Sequence, residues 1–196
     1  GVKVANEVLG NPLSDTELLN VALQFEGHPD NIAPALLGGV VISGLDENGD
    51  VFYSKITPPA NLYCTVIIPD YPLATKKARE VLPQQFSMKD AVYNVGRMAM
   101  LIDAMHTSNL EQLSLAMNDK LHQPYRMSLI KGMDEIIPAA KALGALNVTI
   151  SGAGPTILIV SDGEKDFTSL QEILAKYDVT AKITALHPVN EGAALV

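Results

Sequence analysis

The run Ser151-Gly152-Ala153-Gly154-Pro155-Thr156 constrains this chain more than any other stretch. It lies between two short apolar segments, Asn147–Ile150 and residues 157–160, that read as strands. A turn of small residues, two glycines and a proline lets backbone come very close to another group. A second unusual run lies upstream, Glu26-Gly27-His28-Pro29-Asp30-Asn31. Two such loops, far apart in sequence, suggest an active site assembled from distant segments.

Apolar residues make up 47% of the 196 positions, enough for one large or two small domains and too many for a disordered chain. The net charge of −8 argues against a nucleic-acid surface, which needs clustered cations. The longest basic cluster is only Lys76-Lys77-Ala78-Arg79. A small anionic ligand stays possible, because a few placed arginines suffice. No apolar run approaches the roughly 20 residues of a membrane span, and no signal peptide is visible. The single cysteine, Cys64, reads as a buried strand thiol and fits a reducing cytoplasm. The chain opens without Met, in what reads as the tail of a helix closing at Gly10. It looks cut into an element, with residues missing upstream.

Ser14 and Glu17 form a capping box for the helix that follows. Residues 31–37 read as a short buried helix stopped at Gly38-Gly39, with Asp30 as its cap. Strands at 40–43 and 51–55 flank a turn containing Gly49, and the Pro-rich run 57–61 marks a domain boundary. Residues 62–68 read as a central strand and 75–82 as a short helix. Ser87 caps a long helix to about Met105, its apolar face holding Ala91, Val95, Met98, Leu101, Ile102 and Met105; the methionines read as core filler. Arg97, in the middle of that helix, is expected to pair internally. Helices follow at 110–117 and 125–143, the latter broken around Gly132 and Pro138. Then come the glycine turn between its strands, a helix at 164–177 and a strand at 179–186. The class is α+β or α/β, with a ferredoxin-like second domain.

The run from Glu26 to Asn31 supports two readings. Pro29 and Asp30 can simply start a helix. Alternatively, the helix start gathers free N–H groups toward negative charge, Asn31 donates to a phosphoryl oxygen, and Glu26 holds Mg²⁺ beside phosphate oxygens. His106 and His122, the histidines nearest His28, lack metal-ligand spacing, which argues against zinc. Arg79, Arg97 and Arg126 are the whole arginine complement. Arg79 and Arg126 suit a bidentate grip on a carboxylate, or a plain solvated surface.

These pieces, in this order, resemble the GHMP kinases, and within that superfamily the homoserine kinases. The resemblance rests on His28-Pro29-Asp30-Asn31-Ile32-Ala33-Pro34 with Gly38-Gly39, on residues 75–83, on Pro124-Tyr125-Arg126 and on the 151–156 turn. It implies an α+β, two-lobed fold. Residues 1–57 would be a remnant of the ATP-binding lobe, and 62–196 a ferredoxin-like lobe with helical insertions. It implies ATP and Mg²⁺ as cofactors, L-homoserine as substrate, no nucleic-acid or membrane partner, and a possible homodimer. Asn31 and Asp30 would be catalytic, Asn31 contacting the reacting hydroxyl and the γ-phosphoryl. Glu26 would hold Mg²⁺, and His28 and Asp30 would frame the substrate loop. Arg79 and Arg126 would grip the carboxylate beside Thr75, and Gly152 and Gly154 would let backbone close over the substrate. The resemblance would cover the last two thirds of such an enzyme. The family's glycine-rich phosphate loop is absent from these 196 residues, so poor ATP binding and no turnover are expected of them alone. The other readings are a different GHMP small-molecule kinase, such as a mevalonate-type enzyme, and a non-catalytic amino-acid-binding module.

Overall fold

The computed structural model describes residues 1–194. Leu195 and Val196, the last two positions of the expected second domain, lie outside the described residues. The chain divides into two compact units. Gly1–Pro58 and the tail from Pro188 form one, and Pro59–His187 the other. The tail corrects the sequence reading, which assigned it to the second domain. Its backbone pairs with the first unit: Gly39 N–H donates to the Val189 carbonyl at 2.8 Å and Ala193 N–H to Ala35 at 3.0 Å. A Cβ on Gly38 would stand 2.4 Å from the Glu191 backbone, so only glycine admits the tail this closely.

In the first unit, α1 (Val2–Val8) is followed by α2 (Asp15–Glu26), which begins in the capping box read from the sequence: the Glu17 carboxylate accepts from Ser14 N–H at 2.8 Å. α3 (Pro29–Leu37) starts two residues earlier than expected. Pro29 occupies the first helical position, where its missing N–H costs nothing. The cap is therefore His28, without a side-chain bond, and not Asp30, which falls in the first turn. β1 (Val40–Leu45) and β2 (Val51–Ile56) pair antiparallel across a turn held by Asp46, which accepts from the N–H groups of Asn48 and Asp50. Leu19, Ala33 and Val51 form this unit's buried cluster.

The second unit runs β3 (Leu62–Pro69), α4 (Thr75–Glu80), α5 (Met88–Thr107), α6 (Leu113–Ala116), α7 (Gln123–Arg126), α8 (Met133–Ala142), β4 (Asn147–Ile150), β5 (Ile157–Asp162), α9 (Gln171–Ala175) and β6 (Ala181–Leu186). Its sheet has the order β4-β5-β3-β6 with every pairing antiparallel. That is a ferredoxin-like sheet, in which α4 to α8 all fall between the first two strands. One face of the sheet supplies Ile67, Val148, Ile157 and Ile159 to the core. Met133, Ile136 and Ala140 pack against them from α8, at the spacing of one helix face.

Four expectations shift here. Pro138 does not break its helix but sits inside α8; the Asp134 carbonyl it leaves unpaired belongs to an exposed residue that water can serve. The helix expected at 164–177 shrinks to α9 and a preceding 3₁₀ turn, because Asp166 takes the Thr168 N–H at 2.8 Å and delays the start. On α5 only Ala104 and Met105 are buried, while Val95 and Met98 are 71% and 55% exposed, so the methionine stripe is not core filler along its whole length. Arg97 finds no ion pair among the described residues. It lies over the Tyr93 ring, 4.6 Å from the centroid, with its Nε buried and unbonded.

Candidate functional site

In the second unit, a cavity of about 290 Å³ is lined by Arg126, Gly152, Gln123, His122, Asp119 and Thr149. Arg126 closes α7, and its guanidinium is spent partly on the protein itself. Nε donates to the Ala78 carbonyl at 3.0 Å and Nη1 to the Gly152 carbonyl at 3.2 Å. A guanidinium carries five N–H donors, so others remain for a ligand. Ala78 immediately precedes Arg79, so the two arginines come from elements joined by a direct hydrogen bond. Arg79 and Thr75 are both exposed, at opposite ends of the short helix α4.

The turn between β4 and β5 adopts the expected tight form. Ser151 N–H donates to the Thr156 carbonyl at 2.8 Å, and Gly154 N–H to Ser151 at 3.0 Å. Its two glycines do different things. Gly152, at φ 58°, has open space where a side chain would be. At Gly154, φ is 84° and a Cβ would press on Ile130, Ile150 and Leu73 at 3.1–3.4 Å. That space is filled by the protein's own side chains, so Gly154 serves the packing of the turn.

Asp119 and Gln123 are the site residues that sequence reasoning missed. The Asp119 carboxylate accepts from the backbone N–H groups of Leu121, His122 and Gln123 and from Asn94 Nδ2. Burial pushes its pKa up, but the bonds from Asn94 and the three N–H groups outweigh burial and hold the carboxyl below the usual range. Gln123 Oε1 accepts from Thr149 Oγ1 at 2.7 Å and from Ile150 N–H at 3.2 Å. An Asp four residues before Gln-Pro was the only sequence signal, and it pointed to a helix start. Nothing in the sequence paired Gln123 with β4.

The other candidates lie in the first unit, at the turn from α2 to α3. Glu26 ends α2, Gly27 takes φ 76° to reverse the chain, and His28, Asp30 and Asn31 follow. All four side chains are exposed. No cluster of three or more His, Cys, Asp or Glu suited to a metal occurs among the described residues. A lone carboxylate at Glu26 fits Mg²⁺ only where ligand oxygens complete the shell. Cys64 is half-buried in β3, and burial pushes its thiol up, away from reactivity. No helix among the described residues is long and apolar enough to cross a membrane.

Residues 101–179 match the family model described as GHMP kinases C terminal. A homoserine kinase of Clostridium botulinum is 41% identical over 198 residues, covering all of this chain and 66% of the relative. One from Moorella thermoacetica is 42% identical, covering 97% of this chain and 65% of the relative. The chain is a homologue of the homoserine kinases, with the GHMP kinase fold. The crystal structure of homoserine kinase from Cytophaga hutchinsonii superposes with a TM-score of 0.89 at 30% identity, covering 96% of this chain and 62% of that one. The chain thus spans slightly less than two thirds of the length of the relatives it matches.

Proposed function

We propose that this chain carries the amino-acid-binding part of an ATP:L-homoserine phosphotransferase that makes O-phospho-L-homoserine, a step toward threonine, in a reducing cytoplasm. The observation that supports it is similarity to homoserine kinases along the whole chain, at 41% and 42% identity in the relatives above. In this reading Arg126 and Arg79 take the substrate carboxylate, with Thr75 beside them and Gly152 leaving the turn open for the ligand. Asn31 and Asp30 act at the reacting hydroxyl and the γ-phosphoryl, and His28 frames the loop. Glu26 supplies one oxygen to Mg²⁺, which when bound neutralises phosphate charge. Phosphoryl transfer passes through a loose transition state, so positioning and charge stabilisation carry it without a strong base. Gly154 contributes by fixing the turn.

The test is a coupled assay of ADP release, on the chain joined at Gly1 to the amino-terminal third of the Clostridium botulinum relative. L-homoserine is expected to be the preferred substrate in a panel including mevalonate. Arg79→Ala should raise KM for homoserine at least 30-fold, from loss of about 2–5 kcal/mol of charge-assisted binding, and leave KM for ATP within twofold. Equal effects on both constants, or preference for another alcohol, would overturn the reading.

A further inference from the structure

A guanidinium that is to meet a carboxylate must be held in place before the ligand arrives, or the ordering cost is charged to binding. Arg126 sits at the end of a helix only four residues long, and so short a helix has little stability of its own. Something outside it must fix its direction. Two side chains that have no part in the roles assigned above converge on it. Asp119 accepts from three successive backbone N–H groups at the start of α7, two of them at 2.8 and 2.7 Å. Asn94 ties this knot to α5, donating to Asp119 at 2.6 Å and accepting from Lys120 N–H at 3.0 Å. Gln123 then stitches α7 to the last residues of β4: it donates to the Val148 carbonyl at 3.3 Å and accepts from Thr149 and Ile150. Those residues lead directly into the glycine turn whose Gly152 carbonyl Arg126 grips.

We propose that Asp119 and Gln123 are positioning residues that clamp α7 between α5 and β4 and so hold Arg126 against the glycine turn. The value of this placement for catalysis rests on the reading of Arg126 as a carboxylate-binding group; the clamp itself does not. Both carboxylate oxygens of Asp119 are already occupied by donors, so this acid holds backbone and does not serve as a ligand for the substrate ammonium.

Three arginines in the whole chain make the test direct, because side-chain Nε–H signals in a ¹⁵N spectrum are few and Arg126→Lys assigns the relevant one. In the 196-residue protein, exchange of the Arg126 Nε–H with solvent should be slowed by its bond to Ala78. Asp119→Ala and Gln123→Met should each speed that exchange at least tenfold, while the backbone amides of Ile67 and Ile159 keep their protection. Unchanged Arg126 exchange in a folded variant would overturn the proposal. So would an equal loss of protection at Ile67 and Ile159, which would mark a merely structural role. Should Asp119→Ala fail to fold, Gln123→Met decides the matter by the same criteria. In the extended enzyme, both variants should raise KM for homoserine at least fivefold with KM for ATP unmoved. Faster Nε–H exchange with unchanged KM for homoserine would leave the clamp standing and remove the carboxylate role of Arg126.

Discussion

Asn147 opens β4 and is only 3% exposed, and replacing it tests how the helical insertion is bound to the sheet. Its Nδ2 donates to the carbonyls of Leu113 and Ser114 at 3.3 and 3.1 Å, and its Oδ1 accepts from Val148 N–H at 2.7 Å. The cost of Asn147→Ala depends on what is left bare. The Leu113 carbonyl also accepts from Met117 N–H, and the Ser114 carbonyl from Asn118 Nδ2. Neither carbonyl is orphaned, but the buried Val148 N–H, which faces away from β5, loses its acceptor. Two lost bonds at about 1 kcal/mol each, with about 1–3 kcal/mol for the bare N–H, give about 3–5 kcal/mol of destabilisation. Asn147→Asp is nearly isosteric and separates size from charge. Its carboxylate would face two carbonyl oxygens without water, so the acid stays protonated and its folded pKa rises above the unfolded value of about 3.9. A raised acid pKa gives stability that is whole below the unfolded pKa and lost as pH rises toward the folded one. The slope in that window is about 1.4 kcal/mol per pH unit. Urea unfolding by circular dichroism should show the Asp variant at least as stable as Ala near pH 4, where the neutral acid still serves Val148 N–H, and losing stability steadily toward pH 8. An Ala variant within 0.5 kcal/mol of the parent, or an Asp variant insensitive to pH, would refute the reasoning.

Other consequences follow from the same geometry. Gly38→Ala puts a Cβ into the Glu191 backbone at a φ of 69° and ψ of 178°, a region costing about 1–3 kcal/mol for a side chain. Hydrogen exchange at Gly39 and Ala193 should then accelerate at least tenfold, and unchanged rates would show that the tail tolerates the intrusion. Tyr177 is pushed up to about 12 by its hydrogen bond to Glu135, with burial and the charges of Glu135 and Asp134 adding to it. The neutral phenol is favoured in the folded state, so its contribution is complete below about 10 and lost as pH climbs toward about 12. Near-ultraviolet titration should show Tyr177 ionising late and shifting back toward 10 in Glu135→Gln. Ser14→Ala removes one half of the capping box and should lower stability by about 1 kcal/mol; an unchanged urea midpoint would count against the cap.

Local chemistry made much of this protein legible in advance. The capping box at Ser14, the turn at Gly49, the strand at 62–68 and the glycine turn all depend on neighbours within a few residues. They appear where backbone rules put them. The reading failed where a distant element decided. Apolar spacing on α5 suggested a buried stripe, yet nothing in the second unit covers Val95 and Met98. Pro138 looked like a break but sits where its unpaired carbonyl partner belongs to an exposed residue. The tail from Pro188 joined the first unit because Gly38 and Gly192 leave room for backbone against α3, a fit with no local signature.

The candidate site divides along the same line. Residue types and motif order were enough to single out Asn31, Arg79, Arg126 and the two glycines, because scarce arginines and glycine runs stand out in a linear chain. That Arg126 grips the carbonyls of Ala78 and Gly152, that Gly154 is filled by its own neighbours, and that Asp119 and Gln123 clamp the helix between them were fixed only by folding. The bonds that tie Arg126, Gln123 and Asp119 to other elements join residues 25 to 48 positions apart, and their geometry exists only once the unit has folded.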